Sequence, residues 1–285
     1  MPTAATSDGV TLHYEEVGRG APIVFVHEFA DDWRGWDGQL KFFGRRYRAI
    51  AFNARGYPPS DVPQDFERYS QTRAAEDIRD VLDRLGLARA HVVGLSMGGY
   101  ATLHFGLMFS DRALSLTVGG AGYGSGTERA TFHKDTDYVA AQFDKGMAAV
   151  AEFYTRGPTR VQFAAKDPLG YRAFYERFAS GSALGHANTL RGVQRRRPSV
   201  FELEDRLVRL EVPTLIITGD EDEPCLEPAI FMKRKIPASG LVVLPKSGHA
   251  INLEEPELFN RAVLDFITAV EAGAWPRRDP ASQTG

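Results

Sequence analysis

The sequence predicts an α/β protein with a mostly parallel central sheet, flanking helices and an inserted helical cap. Short β-branched runs alternate with longer helical patterns, which is typical of parallel strands joined by crossover helices. The alternation stops between about residues 125 and 205, where Phe and Tyr recur at helical spacings and no strand pattern is found. It then resumes, which indicates that the middle segment is inserted into one sheet.

The predicted strands are short apolar runs bounded by turn residues. Residues 10–17 alternate in polarity and lead into a turn at Gly18 and Gly20. Residues 22–27 (PIVFVH) form a continuous apolar run, which suits a strand buried on both faces. The other predicted strands are residues 47–52, 91–95, 113–118, 213–218 and 241–244.

The predicted helices fill the intervals between these strands. Residues 71–85 carry Ala, Ile, Val and Leu at helical spacing and end at Gly86, which is typical of an amphipathic helix. Further helices are predicted at residues 97–109, 228–235 and 256–270. We therefore expect a core of residues 1–124 and 206–272, a helical cap of residues 125–205, and a flexible tail of residues 273–285 that lacks periodicity.

The composition excludes several classes of function. The 285 residues contain 34 Lys and Arg against 37 Asp and Glu, a net charge of −3, which argues against a protein that binds nucleic acid through phosphate contacts. The single cysteine, Cys225, cannot form an internal disulfide or a Cys-rich zinc site. The start, MPTAATSDGV, has no basic and apolar signal, and no apolar run is long enough to cross a membrane. We expect a cytoplasmic protein without nucleic-acid or membrane partners.

The strongest local motif is G-x-S-x-G, formed by Gly94, Ser96 and Gly98 between a predicted strand and a predicted helix. A serine on such a sharp turn has a strained backbone, and small neighbours let the turn close. Its hydroxyl would then lie at a helix N-terminus, where N–H groups favour developing negative charge. The motif predicts that Ser96 is a nucleophile.

A serine nucleophile needs a base, and His249 is the candidate. It follows the predicted strand 241–244 in the small-residue loop Ser-Gly-His-Ala, at the carboxyl edge of the sheet where ligands of open α/β sheets bind. We expect surface or packing roles for the histidines without a comparable setting, which are His13, His91, His104, His133 and His186. A carboxylate should orient the base, and the loop after strand 213–218 offers four acids in the run Gly-Asp-Glu-Asp-Glu-Pro. Position alone does not choose among them.

The order Ser, Asp, His, together with the G-x-S-x-G, G-x-x-D and S-G-H motifs, resembles the α/β-hydrolase superfamily in its branch with a helical cap. The resemblance covers about residues 8 to 270. It implies the α/β-hydrolase fold, and it implies that the catalytic acid is Asp222, the last residue of G-x-x-D. Asp220 is the fallback.

An oxyanion hole requires two preorganised donors. One is expected to be the backbone N–H of Met97, directly after the nucleophile. The resemblance implies that the other is the N–H of Phe29, in a loop where His27 matches the family pattern and Glu28 replaces the usual glycine. Glu28 either bonds a nearby backbone group or arginine, or orients a substrate group or water. The similarity to a zinc-binding H-E-x-x-H fails because position 31 is Asp.

The leading hypothesis is a serine hydrolase that cleaves a carboxylic ester or lactone of a small, largely apolar substrate through an acyl-enzyme. No cofactor or metal is implied. The same triad also supports amide hydrolysis, C–C bond hydrolysis and perhydrolase chemistry. A ligand receptor of the same fold with slow turnover is the alternative from another class. The expected partner is a small-molecule substrate, and a homodimer is left open.

A basic cluster lies near the end of the predicted cap. It could attract an anionic substrate, but we interpret it as a solvated face. Its members are Arg191, Arg195, Arg196 and Arg197.

Overall fold

Eight strands form one sheet in the order β1-β2-β4-β3-β5-β6-β7-β8. The structure is a computed structural model that describes residues 1–282; residues 283–285 of the predicted tail lie outside it. The strands are β1 Thr3–Ala5, β2 Thr11–Val17, β3 Pro22–Val26, β4 Arg48–Phe52, β5 Ala90–Leu95, β6 Ala113–Gly119, β7 Thr214–Gly219 and β8 Ser239–Leu244.

The sheet is antiparallel at one edge and parallel through the rest. β1 pairs with β2 and β2 with β4 in antiparallel fashion, and every later pairing is parallel. The carboxyl ends of β3, β5, β6, β7 and β8 therefore meet at one edge. Seven strands agree with the sequence prediction to within two residues at either end. β1 was not predicted, because three residues are too few to show a period.

In the described part of the chain, twelve α-helices surround the sheet or form the segment between β6 and β7. They are α1 Asp37–Phe43, α2 Gln71–Arg84, α3 Met97–Met108, α4 Arg129–Phe143, α5 Ala148–Thr155, α6 Val161–Lys166, α7 Pro168–Ala179, α8 Ala183–Thr189, α9 Glu204–Leu207, α10 Glu223–Lys235, α11 Ile251–Glu254 and α12 Pro256–Glu271. Apolar side chains of α2, α3 and α10 pack on one face of the sheet, and those of α1 and α12 pack on the other.

α10 begins five residues earlier than predicted. The sequence pattern predicts this helix at residues 228–235, whereas the proline in its first turn is Pro224. The structure instead places Pro228 inside the helix and begins α10 at Glu223. Asp222 consequently precedes the first residue of the helix.

The segment between β6 and β7 contains helices α4 to α9 and, within the described chain, no strand. Its aromatic side chains form a third apolar cluster, which includes Phe143, Phe163, Phe174 and Phe178. Phe29, from the loop after β3, belongs to the same cluster. This contact brings the inserted helices onto the carboxyl edge of the sheet.

Part of the predicted tail is packed against the core. The ring of Trp275 lies 4.7 Å from that of Phe266, centroid to centroid, and its Nε1–H donates to the carbonyl oxygen of Ala238 at 3.0 Å. In residues 1–282 no helix has the length and apolarity needed to span a membrane.

Candidate active site

Ser96 occupies the turn from β5 into α3. Its φ of 55° and ψ of −114° lie in a region that residues with a side chain adopt only under strain. The Ser96 N–H donates to the carbonyl oxygen of Gly119 at 2.8 Å, which ties the turn to β6. The hydroxyl is therefore held at the first turn of α3, where helix N–H groups favour negative charge.

The glycines on either side of Ser96 are required for space. A Cβ on Gly94 would overlap the carbonyl oxygen of Gly98, and a Cβ on Gly98 would overlap the carbonyl oxygen of Val26. Neither glycine has a positive φ. The G-x-S-x-G motif therefore lets the α3 backbone pack directly against β5 and β3.

His249 and Asp222 are joined by a hydrogen bond of 2.7 Å between Nδ1 and Oδ2. A carboxylate accepts only, so Nδ1 carries the proton and Nε2 is left with its lone pair. Asp220 does not contact His249; its Oδ1 accepts from the Ser247 N–H at 3.1 Å and fixes the loop that carries the histidine. Among the described residues Ser96 Oγ has no hydrogen bond to His249.

Two further residues brace the His249 loop, and no sequence motif indicated either. The His249 N–H donates to the carbonyl oxygen of Thr159 at 2.9 Å, a residue of the inserted segment. The carboxylate of Glu254 accepts from the N–H groups of Gly248 and Ala250 at 2.7 and 3.0 Å. The pKa of Glu254 is raised, because the effect of burial exceeds the opposing effect of these two hydrogen bonds. His249 is thus positioned from both the core and the inserted helices.

The N–H groups of Phe29 and Met97 have no hydrogen-bond acceptor in the described chain. The carbonyl oxygen of Glu28, which shares a peptide group with the Phe29 N–H, lies 2.6 Å from His27 Nδ1, and the carbonyl oxygen of Phe29 in the next peptide accepts from Tyr57 Oη at 2.9 Å. Phe29 and Ser96 line the same cavity. Neither predicted donor is therefore used by another group of the described chain, and Phe29 is the one of the two residues that lines this cavity.

His27 fixes the path of this loop. Its Nε2 accepts from the Ala54 N–H at 3.0 Å, and Nδ1 lies 2.6 Å from the carbonyl oxygen of Glu28. Because Nε2 accepts, Nδ1 must carry the proton and donate. Burial lowers the pKa of His27, which keeps the ring neutral. His27 does not line the cavity that holds Ser96.

Glu28 forms a buried bidentate ion pair with Arg160 of the inserted segment. Arg160 Nη1 donates to Oε1 at 2.8 Å, and Nη2 contacts Oε2. Both side chains are at most 5% exposed. Burial alone would raise the pKa of Glu28, but the charge and hydrogen bonds of Arg160 lower it below the usual value. Glu28 has no positive φ, so the loop does not need the family's glycine here.

The cavity at this edge holds about 280 Å³, close to the lower end of the roughly 300–1,000 Å³ of ligand pockets. One side of its wall comes from the loops at the carboxyl edge of the sheet and includes Phe29, Ser96, Asp222 and His249. The inserted segment forms another side, with Tyr154, Arg160, Gln194 and Arg197. A small molecule would fill it.

The basic cluster is split by the structure. Arg191, Arg195 and Arg196 make ion pairs with Asp144, Asp137 and Glu67 at the surface. Arg197 is 5% exposed and lines the cavity, so the interpretation of a solvated face is wrong for this residue. Sequence alone could not separate it from the others, because the four arginines lie close together in the sequence and are chemically alike.

Cys225 is the side chain in this region that could join a metal site. Its Sγ and ligand atoms of Asp222 and His249 lie within 4.8 Å of one another. The thiol donates to the carbonyl oxygen of Gly120 at 3.3 Å, and burial, with the charge of Asp222, raises its pKa well above the usual value. A metal needs the thiolate, so this trio is poorly suited to hold one.

The sequence matches the family described as the alpha/beta hydrolase family over residues 23–262. The chain belongs to this family, and the fold class and resemblance predicted from its sequence are confirmed.

Several known proteins are similar to most of the chain. The 3-oxoadipate enol-lactonase 1 of Acinetobacter baylyi is 29% identical over 267 residues, 92% of this chain and 95% of that protein. A thermophilic esterase from Thermogutta terrifontis, solved with malate bound, superposes with a TM-score of 0.84 at 26% identity, covering 94% of this chain and 98% of the esterase. An esterase from Exiguobacterium antarcticum gives 0.79 at 25% identity, covering 93% and 98%.

Proposed function

We propose that this chain is a serine hydrolase that cleaves a carboxylic ester or lactone of a small substrate through an acyl-enzyme on Ser96. An ester-acting hydrolase is the enzyme class that the family and the named lactonase and esterases support. The proposal depends most on one observation. A strained serine, a histidine bonded to a buried carboxylate, and Phe29, whose N–H has no acceptor in the described chain, line a single cavity, and the Met97 N–H directly follows that serine.

In the proposed mechanism His249 Nε2 takes the proton of Ser96 Oγ while Oγ attacks the carbonyl carbon. The N–H groups of Phe29 and Met97 stabilise the resulting oxyanion, and Asp222 stabilises the imidazolium. His249 then protonates the leaving oxygen, and the acyl group stays on Oγ. Water, deprotonated by His249, attacks the acyl carbon; the bond to Oγ then breaks, His249 returns the proton to Oγ, and the acid is released. The contact between Oγ and Nε2 closes in the substrate complex, as such contacts do in other enzymes.

Glu28 would act against this chemistry if it carried an unbalanced charge, because a second carboxylate opposes the oxyanion. Its ion pair with Arg160 balances that charge. Of the two interpretations offered for Glu28, the contact with an arginine therefore applies. We propose that the pair holds the donor loop against the inserted helices and binds no substrate group directly.

The test is hydrolysis of 4-nitrophenyl acetate and of γ-butyrolactone by the wild type and by Ser96→Ala. The variant should lose kcat by a factor on the order of 10⁶ in the case of full triad catalysis. Ser180→Ala, on an exposed serine, is the matched control and should keep the wild-type rate. A phosphonate ester probe should label Ser96, as located by mass spectrometry.

Activity that survives Ser96→Ala would refute the mechanism. Faster turnover of 4-nitroacetanilide than of the ester would favour an amide hydrolase. Probe labelling of Ser96 without multiple turnover would favour the slow receptor.

A further inference from the structure

Arg197 is a buried guanidinium without a carboxylate partner. The buried arginines of the described chain are Arg55, Arg160 and Arg197. Arg55 pairs with Asp8 and Asp77, and Arg160 pairs with Glu28. Arg197 makes no ion pair within residues 1–282. The other three arginines of the basic cluster, Arg191, Arg195 and Arg196, each make one. A buried charge normally needs a partner.

The contacts that Arg197 does make leave most of its donors unused. Nη2 donates to the carbonyl oxygen of Tyr123 at 2.8 Å, and the guanidinium carbon lies 3.8 Å from the centroid of the Tyr100 ring. Stacking on an aromatic face supports the plane of the guanidinium but satisfies no N–H group. A guanidinium has five N–H donors in a fork, so several remain for a ligand.

An irregular helical turn precedes Arg197, which lines the catalytic cavity. The segment Leu190–Gln194 is a π-helix, and the Arg195 N–H donates to the carbonyl oxygen of Leu190 at 2.8 Å, five residues earlier. Such insertions into a helix are frequent at functional sites, where they redirect side chains. Gln194, which lines the cavity beside Arg197, adds an amide donor on the same wall.

We propose that Arg197, with Gln194, binds a carboxylate on the acyl portion of the substrate, so that the enzyme acts on half-esters or carboxylated lactones. This inference rests on the proposed function, since the cavity is the one that holds Ser96 and His249. A planar monoanion fits best, because a guanidinium fork matches carboxylate geometry in a bidentate manner. Among the described residues of the cavity wall, Arg160 is already paired with Glu28. The single positive charge of Arg197 would therefore be matched by the single negative charge of the substrate carboxylate. A cavity of about 280 Å³ limits the acyl chain to a few carbons.

The test compares two esters of equal length. Mono-4-nitrophenyl glutarate ends in a carboxylate where 4-nitrophenyl valerate ends in a methyl group. The wild type should have the higher kcat/KM for the glutarate ester, by roughly tenfold or more, as expected for a charged hydrogen-bonded contact. Arg197→Met keeps a long side chain over Tyr100, and it should lower the ratio of glutarate to valerate kcat/KM by a factor on the order of 10². Arg197→Lys should restore part of that ratio.

Arg195→Met is the matched control. It removes the same charge two residues away, on a side chain paired with Asp137 at the surface, and the ratio should not change. A wild-type preference for valerate would overturn the proposal, as would an unchanged ratio in Arg197→Met. A structural role for Arg197 would lower both kcat/KM values together and leave the ratio as it was.

A binding measurement covers two other cases. If Arg197→Met does not fold, or if neither ester is hydrolysed, Ser96→Ala is titrated with monomethyl glutarate and with methyl valerate by calorimetry. Tighter binding of the carboxylate supports the subsite even where ester hydrolysis has failed. Equal binding of the two overturns it. Ester turnover that depends on Ser96 but shows no preference for glutarate leaves the proposed function intact and refutes the carboxylate subsite alone.

Discussion

Removing one partner of the Glu28–Arg160 pair should destabilise the protein strongly. Arg160→Met leaves a carboxylate that is 3% exposed without its cation, in a place where burial disfavours the charged form. The loss of one partner of a buried ion pair costs about 3–5 kcal/mol. That is a large part of the roughly 5–15 kcal/mol by which a domain is stable. Glu28→Gln should lower the free energy of unfolding by less, because Arg160 keeps two other favourable surroundings. Its guanidinium carbon lies 5.0 Å from the centroid of the Phe174 ring, and its side chain lines the cavity.

The double variant Glu28→Gln, Arg160→Met measures the energy of the ion pair itself, apart from the contacts that each residue makes with its surroundings. With both charges removed, neither is left buried alone, so the double variant should be more stable than the sum of the single losses predicts. We expect a coupling energy towards the upper end of the roughly 0.5–3 kcal/mol found for residues in contact. Urea unfolding, with the slope of the transition checked for constancy, gives the four free energies.

An exposed pair in the same segment is the control. Glu152 and Arg156 are spaced four residues apart and are at least 60% exposed, so Arg156→Met should change the unfolding free energy very little. A loss for Arg160→Met as small as that for Arg156→Met would refute the reasoning. So would strict additivity in the Glu28 and Arg160 cycle.

Three further predictions concern the elbow, the acid and a buried histidine. Gly98→Ala should lower stability by about 1–3 kcal/mol through overpacking. Gly38 has open space around it, so Gly38→Ala should be neutral or raise stability by up to about 1 kcal/mol. Thermal unfolding of the two variants and the wild type measures the difference. Asp222→Asn should lower kcat for 4-nitrophenyl acetate by a factor on the order of 10⁴, as in serine proteases, and a wild-type rate would remove Asp222 from the mechanism. Burial lowers the pKa of His186 to about 4, so this ring disfavours folding as the pH falls from about 6.5 towards 4. The free energy of unfolding of the wild type, minus that of His186→Gln, should therefore fall by about 2 kcal/mol as the pH is lowered from about 7.5 to about 5. Urea unfolding that gives the same difference at both pH values would contradict this.

The parts of the site that sequence predicted are those that depend on local geometry. Ser96 could be found because a strand, a tight turn and a helix each leave a pattern within about ten residues. His249 follows from its place after a strand. Asp222 could not be chosen by position among four acids; the structure brings it to His249 because α10 begins at Glu223, and Asp220 turns to Ser247 instead.

The groups that sequence missed come from the inserted helices. Arg160 lies 132 positions from Glu28, and no periodicity connects two such residues. Arg197 contradicts the ordinary expectation that charged residues are exposed, so an arginine in a basic run is assigned to the surface. Long-range contacts and the burial of individual charges are the features that a single sequence does not record.

The charges around the cavity add an argument for an anionic substrate. Glu28 and Arg160 cancel, and during acyl transfer the imidazolium of His249 would pair with Asp222. Among residues 1–282, Arg197 is then the cation at the cavity that has no carboxylate partner. A neutral ester would keep that guanidinium buried and unpaired through the whole cycle, at a cost in free energy. Burial disfavours the charged form, and for that reason it lowers the pKa of Arg197. A carboxylate on the acyl chain would remove this cost when it binds, and it would orient the carbonyl group towards Ser96.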